Sequence, residues 1–158
     1  MNTGATFSEC RRYRYELWRI WDNELPEVMF IGLNPSTADE MHDDPTIRRC
    51  ISFSRHWGYG GLVVCNLFAY RATDCRDLMI AKEPIGRDND EFLLKNAKRA
   101  TLVIAAWGNN GRHLDRSASV VSLIPNLHCL KVNHSGEPSH PLYLSSDARP
   151  RLYCGRGH

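Results

Sequence analysis

The sequence predicts an α/β protein: a three-layer α/β/α domain around a four-stranded parallel sheet, with an N-terminal antiparallel edge strand added to it. Three observations carry this. Four short apolar runs, at residues 28–33, 62–67, 101–107 and 127–132, have the length and composition of buried strands. Capped segments with helical apolar spacing separate them, the alternation expected of parallel strands covered on both faces. A chain of 158 residues is long enough to bury roughly two-thirds of its unfolded surface in a single core. The whole of 1–158 is therefore read as one domain, with 1–26 an edge hairpin, 27–146 the core and 147–158 a basic tail.

In chain order, residues 13–21 alternate polar and apolar, as a half-buried strand does. Asp22-Asn23-Glu24-Leu25-Pro26 then turns it into the central strand, making the hairpin. That central strand ends in Gly32-Leu33-Asn34-Pro35-Ser36-Thr37, where Pro35 disfavours helical backbone at Asn34 and stops it. Asp44-Pro45 is a helix start, with Asp as N-cap and Pro in the first helical position. Ile47, Cys50, Ile51 and Trp57 mark its inner face, and Gly58 ends it. After the second strand, a short helix lies within 71–81, capped near Thr73 or Asp74. A longer one runs from 89 to about 99, with Asp88 and Glu91 fitting a capping box. The third strand leads into Trp107-Gly108-Asn109, and a helix follows over 112–123 with Leu114, Ala118 and Val121 inward. The fourth strand precedes a polar loop over 133–141.

Composition excludes several classes. No apolar run approaches the ~18 residues of a membrane span, and the first residues lack a signal-peptide shape, which predicts a cytoplasmic protein. The six cysteines contain no CxxC pair, so neither a zinc ribbon nor an iron–sulfur centre is expected, and several read as small buried thiols. His42, Asp43 and Asp44 look like metal ligands, but Asp44 is better used as the N-cap, and no metal or cofactor is predicted. GxGxxG, Walker, GxSxG and HExxH patterns are absent. Net charge is only +2, yet sixteen of the twenty basic residues are Arg, the planar donor suited to phosphate. They gather at Arg11, Arg12, Arg14 and Arg19, at Arg48, Arg49 and Arg55, and in the tail at Arg149, Arg151 and Arg156. Nucleic acid is thus a candidate partner, with the arginines after Asp44 and those of the tail expected on the face that carries Asn34.

Right-handed crossovers bring all four strand ends to one edge of the sheet, where ligands of open α/β sheets bind. That edge collects Asn34-Pro35-Ser36, Asn66, Trp107-Gly108-Asn109 and the loop from His134 to His140. These clusters resemble, in the same order, the motifs of the uracil-DNA glycosylase superfamily, specifically its mismatch-specific thymine/uracil branch. Gly32-Leu33-Asn34-Pro35 is similar to that branch's Gly-x-Asn-Pro. Cys65-Asn66-Leu67 through Arg71-Ala72-Thr73 is similar to its Thr-Asn-Leu and basic-Pro-Thr stretch. Ala106-Trp107-Gly108 resembles its Trp-Gly strand end, and His140-Pro141-Leu142 its final His-Pro loop. The loop departs from the superfamily's His-Pro-Ser-Pro in continuing with Leu142-Tyr143. As a whole the chain is identified as a member of the conserved bacterial domain of unknown function 1643 family, which carries GLNPSTAD, DDPTIRRC, WGYGG, NLFAYRAT, AWGN and HPLYL.

The glycosylase resemblance implies a set of roles. Asn34 would position the attacking water, and His140, with His134 as the alternative, would donate to the departing base. Gly32, Leu33, Pro35 and Asn66 would surround the base, and Phe68, Tyr70, Trp57 or Trp107 would stack on it. Ser36, Thr37, Arg48, Arg49, Arg55, Arg71 and Asn109 would hold DNA phosphates, and Leu142 or Tyr143 would fill the gap left by the flipped base. The implied activity is that of a monomeric, cofactor-free DNA glycosylase-like hydrolase. It would remove uracil or a mismatched or modified pyrimidine, in base-excision repair or in defence against modified DNA. Two other readings stand beside it: a non-catalytic nucleic-acid or nucleotide-binding module, and an N-glycosidase acting on free nucleotides.

Overall fold

The computed structural model describes residues 1–155, so Arg156 of the tail lies outside the described residues. Its elements are β1 (Asn2–Phe7), β2 (Arg14–Ile20), β3 (Glu27–Gly32), α1 (Pro45–His56), β4 (Gly61–Asn66), α2 (Cys75–Ile80), α3 (Asn89–Arg99), β5 (Leu102–Ala105), α4 (Arg116–Leu123), β6 (His128–Cys129) and β7 (Arg151–Leu152). The strands form one mixed sheet in the order β1-β2-β4-β3-β5-β6-β7. Its centre, β4-β3-β5-β6, is parallel, and both margins are antiparallel.

Two apolar clusters flank the sheet because side chains alternate along each strand. On one face α1 packs Ile47, Cys50 and Phe53 against Val28, Phe30, Leu62 and Val64. On the other, α2, α3 and α4 bring Leu78, Leu93 and Val120 to Met29, Ile31, Val63 and Cys65. Cys50, Cys65 and Cys129 are buried and free, and burial pushes the Cys65 thiol up to about 12. No helix among the described residues is long and apolar enough to cross a membrane.

The start of α1 follows its sequence. Asp44 accepts the Ile47 N–H at 2.9 Å, Pro45 opens the helix, and Gly58 takes φ +87° just past its end. Elsewhere the structure corrects the expectations. The strand at 14–20 does not pair with β3; β4 lies between them, and the outer edge belongs to β1, which sequence patterning missed. The polar residues of β2 are not a solvated face. Glu16 accepts from Asn96 at 3.0 Å and from Thr6 at 2.8 Å, while Arg19 is 1% exposed. Arg19 donates to Asp43 at 2.8 Å and to the carbonyls of Asp39 and His42 at 2.6 and 3.1 Å, tying β2 to the loop before α1.

Asp88 makes no capping hydrogen bond. Its neighbour Asn89 turns inward instead, donating to the carbonyls of Asn66 and Leu67 and anchoring α3 to the end of β4. The helix expected from 112 begins only at Arg116, because Leu114 and Asp115 adopt left-handed backbone with φ +54° and +55°. Leu114 is therefore exposed, as is Ala118, and Ser117 and Val120 face inward. The fourth parallel strand shrinks to β6, which meets β5 in one residue pair, and the segment read as a tail supplies β7.

Candidate functional site

In the parallel part of the sheet Gly32 stands beside Asn66, so β3 and β4 end level. The chain after β5 continues this edge, with the Ala106 N–H donating to the Ile31 carbonyl at 2.9 Å and Trp107 and Gly108 following. A 3₁₀ turn at Pro141–Tyr143 closes over the same edge. Between them opens a cleft of about 340 Å³. Asn34, Asn66, Trp107 and His140 line it, with Gly32, Leu33, Pro35, Ser36, Asn109, Leu142 and Tyr143 around them.

Three side chains in the cleft have their hydrogen-bonding direction set by neighbours. Both donors of Asn34 are spent, since Nδ2 donates to the Pro35 carbonyl at 3.0 Å and to the Ala72 carbonyl at 2.7 Å. Its Oδ1 is left as an acceptor toward the cleft. Asn66 is held the opposite way: Arg14 Nη2 donates to its Oδ1 at 3.4 Å, so its Nδ2 is the free donor end. That Nδ2 lies over Gly32, where a Cβ would come within 2.8 Å, so the glycine makes room for the Asn66 amide. His140 Nδ1 accepts the Leu142 N–H at 3.2 Å, and burial pushes its pKa below the ordinary value, against a weaker opposing pull from Asp44. The imidazole is therefore neutral at pH 7 with its proton on Nε2, a donor.

Two residues of the cleft, Arg14 and Asp44, were not placed there by the sequence reading. Arg14 is 2% exposed, and burial drops its pKa to about 10, with the Asp44 charge opposing the drop; it stays cationic at neutral pH. Asp44 caps α1 and also lines the cleft, as the sole carboxylate among its lining residues. Nothing local marks Arg14 for this position, because its strand pattern reads as a solvated edge. The doubled Asp before Pro45 signals a cap and says nothing of which side faces the cleft.

Other expected site residues lie elsewhere. Phe68 and Trp107 are 0% and 1% exposed, packed in the core with their rings 5.5 Å from that of His113 and 6.1 Å from that of Tyr153, so neither ring can stack on a ligand. Trp57 sits at the far end of α1, stacked on Phe53 and Phe30, with its indole N–H donated to the Ala148 carbonyl at 3.2 Å. Tyr70 lines a neighbouring groove instead. Arg49 lies over the Phe53 ring and donates to the carbonyls of Pro141 and Leu144, so it braces the His140 loop from below. Arg48 bonds the Asp43 carbonyl and Arg55 lies over Trp21; neither lines the cleft. Thr37, His134, Arg149 and Arg151 are exposed and also outside it. Arg71 is in the groove with Tyr70.

The family described as protein of unknown function (DUF1643) matches residues 14–142. The chain belongs to that family. In this DUF1643 chain the matched span opens on Arg14 and closes on Leu142, both of which line the cleft. Comparisons with curated proteins and with solved structures give no match.

Proposed function

We propose that the cleft belongs to a DNA glycosylase-like hydrolase that cleaves the N-glycosidic bond of a pyrimidine nucleotide. The observation that carries this reading is the opposed polarity of Asn34 and His140. An acceptor fixed at Asn34 Oδ1 suits a water aimed at C1′, and a neutral Nε2–H donor suits the oxygen of a departing base. In the step, the water oxygen bonds to C1′ as the C–N bond breaks. The bonding pair leaves with the base, whose anion is held by the imidazole N–H, and the water proton passes to solvent. A cleft of about 340 Å³ has the scale of a small-ligand site.

The test is release of alkali-labile abasic sites from oligonucleotides carrying uracil, mismatched thymine or modified pyrimidines. On a substrate that is cleaved, Asn34→Ala is expected to abolish turnover with little change in affinity, since a water-placing acceptor acts mainly in the transition state. Full activity in Asn34→Ala would remove the mechanism. A second reading, a binding module without turnover, is favoured by one feature. The sole carboxylate lining the cleft among the described residues, Asp44, already gives an oxygen to the cap of α1, and an amide is no general base. No cleavage of any substrate, together with weaker nucleotide binding in Asn34→Ala, would select the module.

A further inference from the structure

Beside the cleft runs a more open groove of about 670 Å³, and Ser36 lines both. Its wall joins two segments distant in sequence. The Arg71 N–H donates to the Arg12 carbonyl at 2.8 Å, and Arg71 Nη1 donates to the Arg11 carbonyl at 3.2 Å. Arg11 holds φ +61°, left-handed backbone that is costly for a residue with a Cβ. Both the Arg11 and the Arg71 guanidinium lie over one ring, that of Phe7, at 3.9 and 4.8 Å from its centroid. Like charges gathered on one ring beside a strained turn form an arrangement that core packing does not call for.

Glu40 offsets Arg11 through a bidentate pair at 2.8 Å. Neither Arg12 nor Arg71 has a carboxylate in an ion pair among the described residues, and Asp77 is the one acid in the groove lining. Two cations without acid partners therefore stand where the cleft runs out over Ser36. The arginines of α1 also bond carbonyls or lie over aromatic rings, but none of them lines the groove.

We infer that this groove carries the phosphodiester strand adjoining the nucleotide in the cleft, so that the ligand is a polynucleotide rather than a free nucleotide. The inference rests on the nucleotide reading of the cleft. A free nucleotide would leave the groove empty; a strand continues across Ser36 and passes its phosphates over Arg12 and Arg71. Guanidinium groups suit phosphate because their planar donors meet two of its oxygens at once.

The experiment measures anisotropy of a labelled single-stranded DNA 12-mer on the full chain over a series of salt concentrations, with thymidine monophosphate binding followed in parallel. Arg12→Gln and Arg71→Gln are each expected to reduce the slope of log affinity against log salt by about 0.7, the share of one phosphate on single-stranded DNA. Lys98→Gln, on α3 away from the groove, is expected to leave it unchanged, as is monophosphate affinity in every variant. Melting temperatures establish that each variant is folded. Salt slopes equal to wild type in folded Arg12→Gln and Arg71→Gln would overturn the inference. So would absence of 12-mer binding at low salt, or equal competition by polyglutamate, which would make the groove an acidic-peptide site. If binding depends on both arginines while no base is released, the groove stands and the hydrolase reading alone falls. If bases are released and binding ignores both arginines, the groove alone falls.

Discussion

His140 ties the chemistry of the cleft to pH. Its Nδ1 must be unprotonated to accept the Leu142 N–H, and burial holds its pKa below the ordinary 6.5. Well above 6.5 the imidazole is neutral folded or unfolded, and it adds no pH dependence. Below that value the unfolded chain takes up a proton that the folded one resists, so stability falls as pH drops toward the folded pKa. The melting temperature is expected to decline between pH 7 and 5, and His140→Gln to decline less steeply over that window. Identical profiles would mean the ring is not held neutral. Gly32→Ala probes the neighbouring amide: the new Cβ, 2.8 Å from Asn66 Nδ2, must displace it. Discrimination among bases is expected to fall, measured as the ratio of affinities for thymidine and cytidine monophosphates, with the melting temperature little changed. At this scale several of the residues that line the cleft could be read in advance. Asn34, Asn66 and His140 each stand next to a strand end or a proline, where local geometry speaks. Phe68 could not be read in that way, because a strand end exposes some residues and buries others, and the adjoining helix decides which.

Elements whose ends carry their own chemistry were legible, and those whose ends depend on distant contacts were not. Helix α1 starts on an Asp-Pro pair and stops before a glycine, signals contained in the segment itself. Asp44→Ala is expected to lower stability by about 0.5–2 kcal/mol in urea titrations and Asp44→Asn to leave it nearly unchanged, since Asn caps as well as Asp. Helix α4 is the opposite case. Its spacing suggests a start at 112, but Leu114 is bent into left-handed backbone, and Arg116 turns inward to donate to the Leu67 carbonyl at 2.8 Å. A leucine carries no local signal for that conformation. Leu114→Gly is expected to raise stability by about 0.5–1 kcal/mol: the relief of roughly 1–2 kcal/mol in left-handed backbone exceeds the entropy glycine adds to the unfolded chain. A fall in melting temperature would show that the exposed leucine makes up for its strain elsewhere.

For the molecule as a whole, apolar runs separated by capped helices were enough to read parallel pairing among four strands, because buried parallel strands announce themselves by composition. The margins were illegible for the converse reason. Strand β1 is built mostly from small and polar residues before Phe7, with Gly4 lying directly under the Trp18 ring. Nothing in Asn2–Phe7 taken alone demands a partner. The two margins also differ in how firmly they are held. Strand β1 pairs with β2 over six residues, whereas β6 meets β5 in a single pair and β7 over two. Amide exchange is therefore expected to be slowest in β3 and β4 and faster at His128 and Cys129 than anywhere in β2. Equal protection across the sheet would contradict this ordering.

The guanidinium of Arg19 has a consequence for how this protein can change over generations. Because it bonds Asp43 and the carbonyls of Asp39 and His42, strand β2 and the loop that leads into α1 are inherited as one unit. A lineage that loses Arg19 leaves those carbonyls and a carboxylate to be satisfied by something else, so positions 19 and 43 are expected to vary together among family members. Grafting a relative's loop over residues 36–44 alone should cost folded protein. Grafting it together with that relative's residues 14–20 should restore the yield.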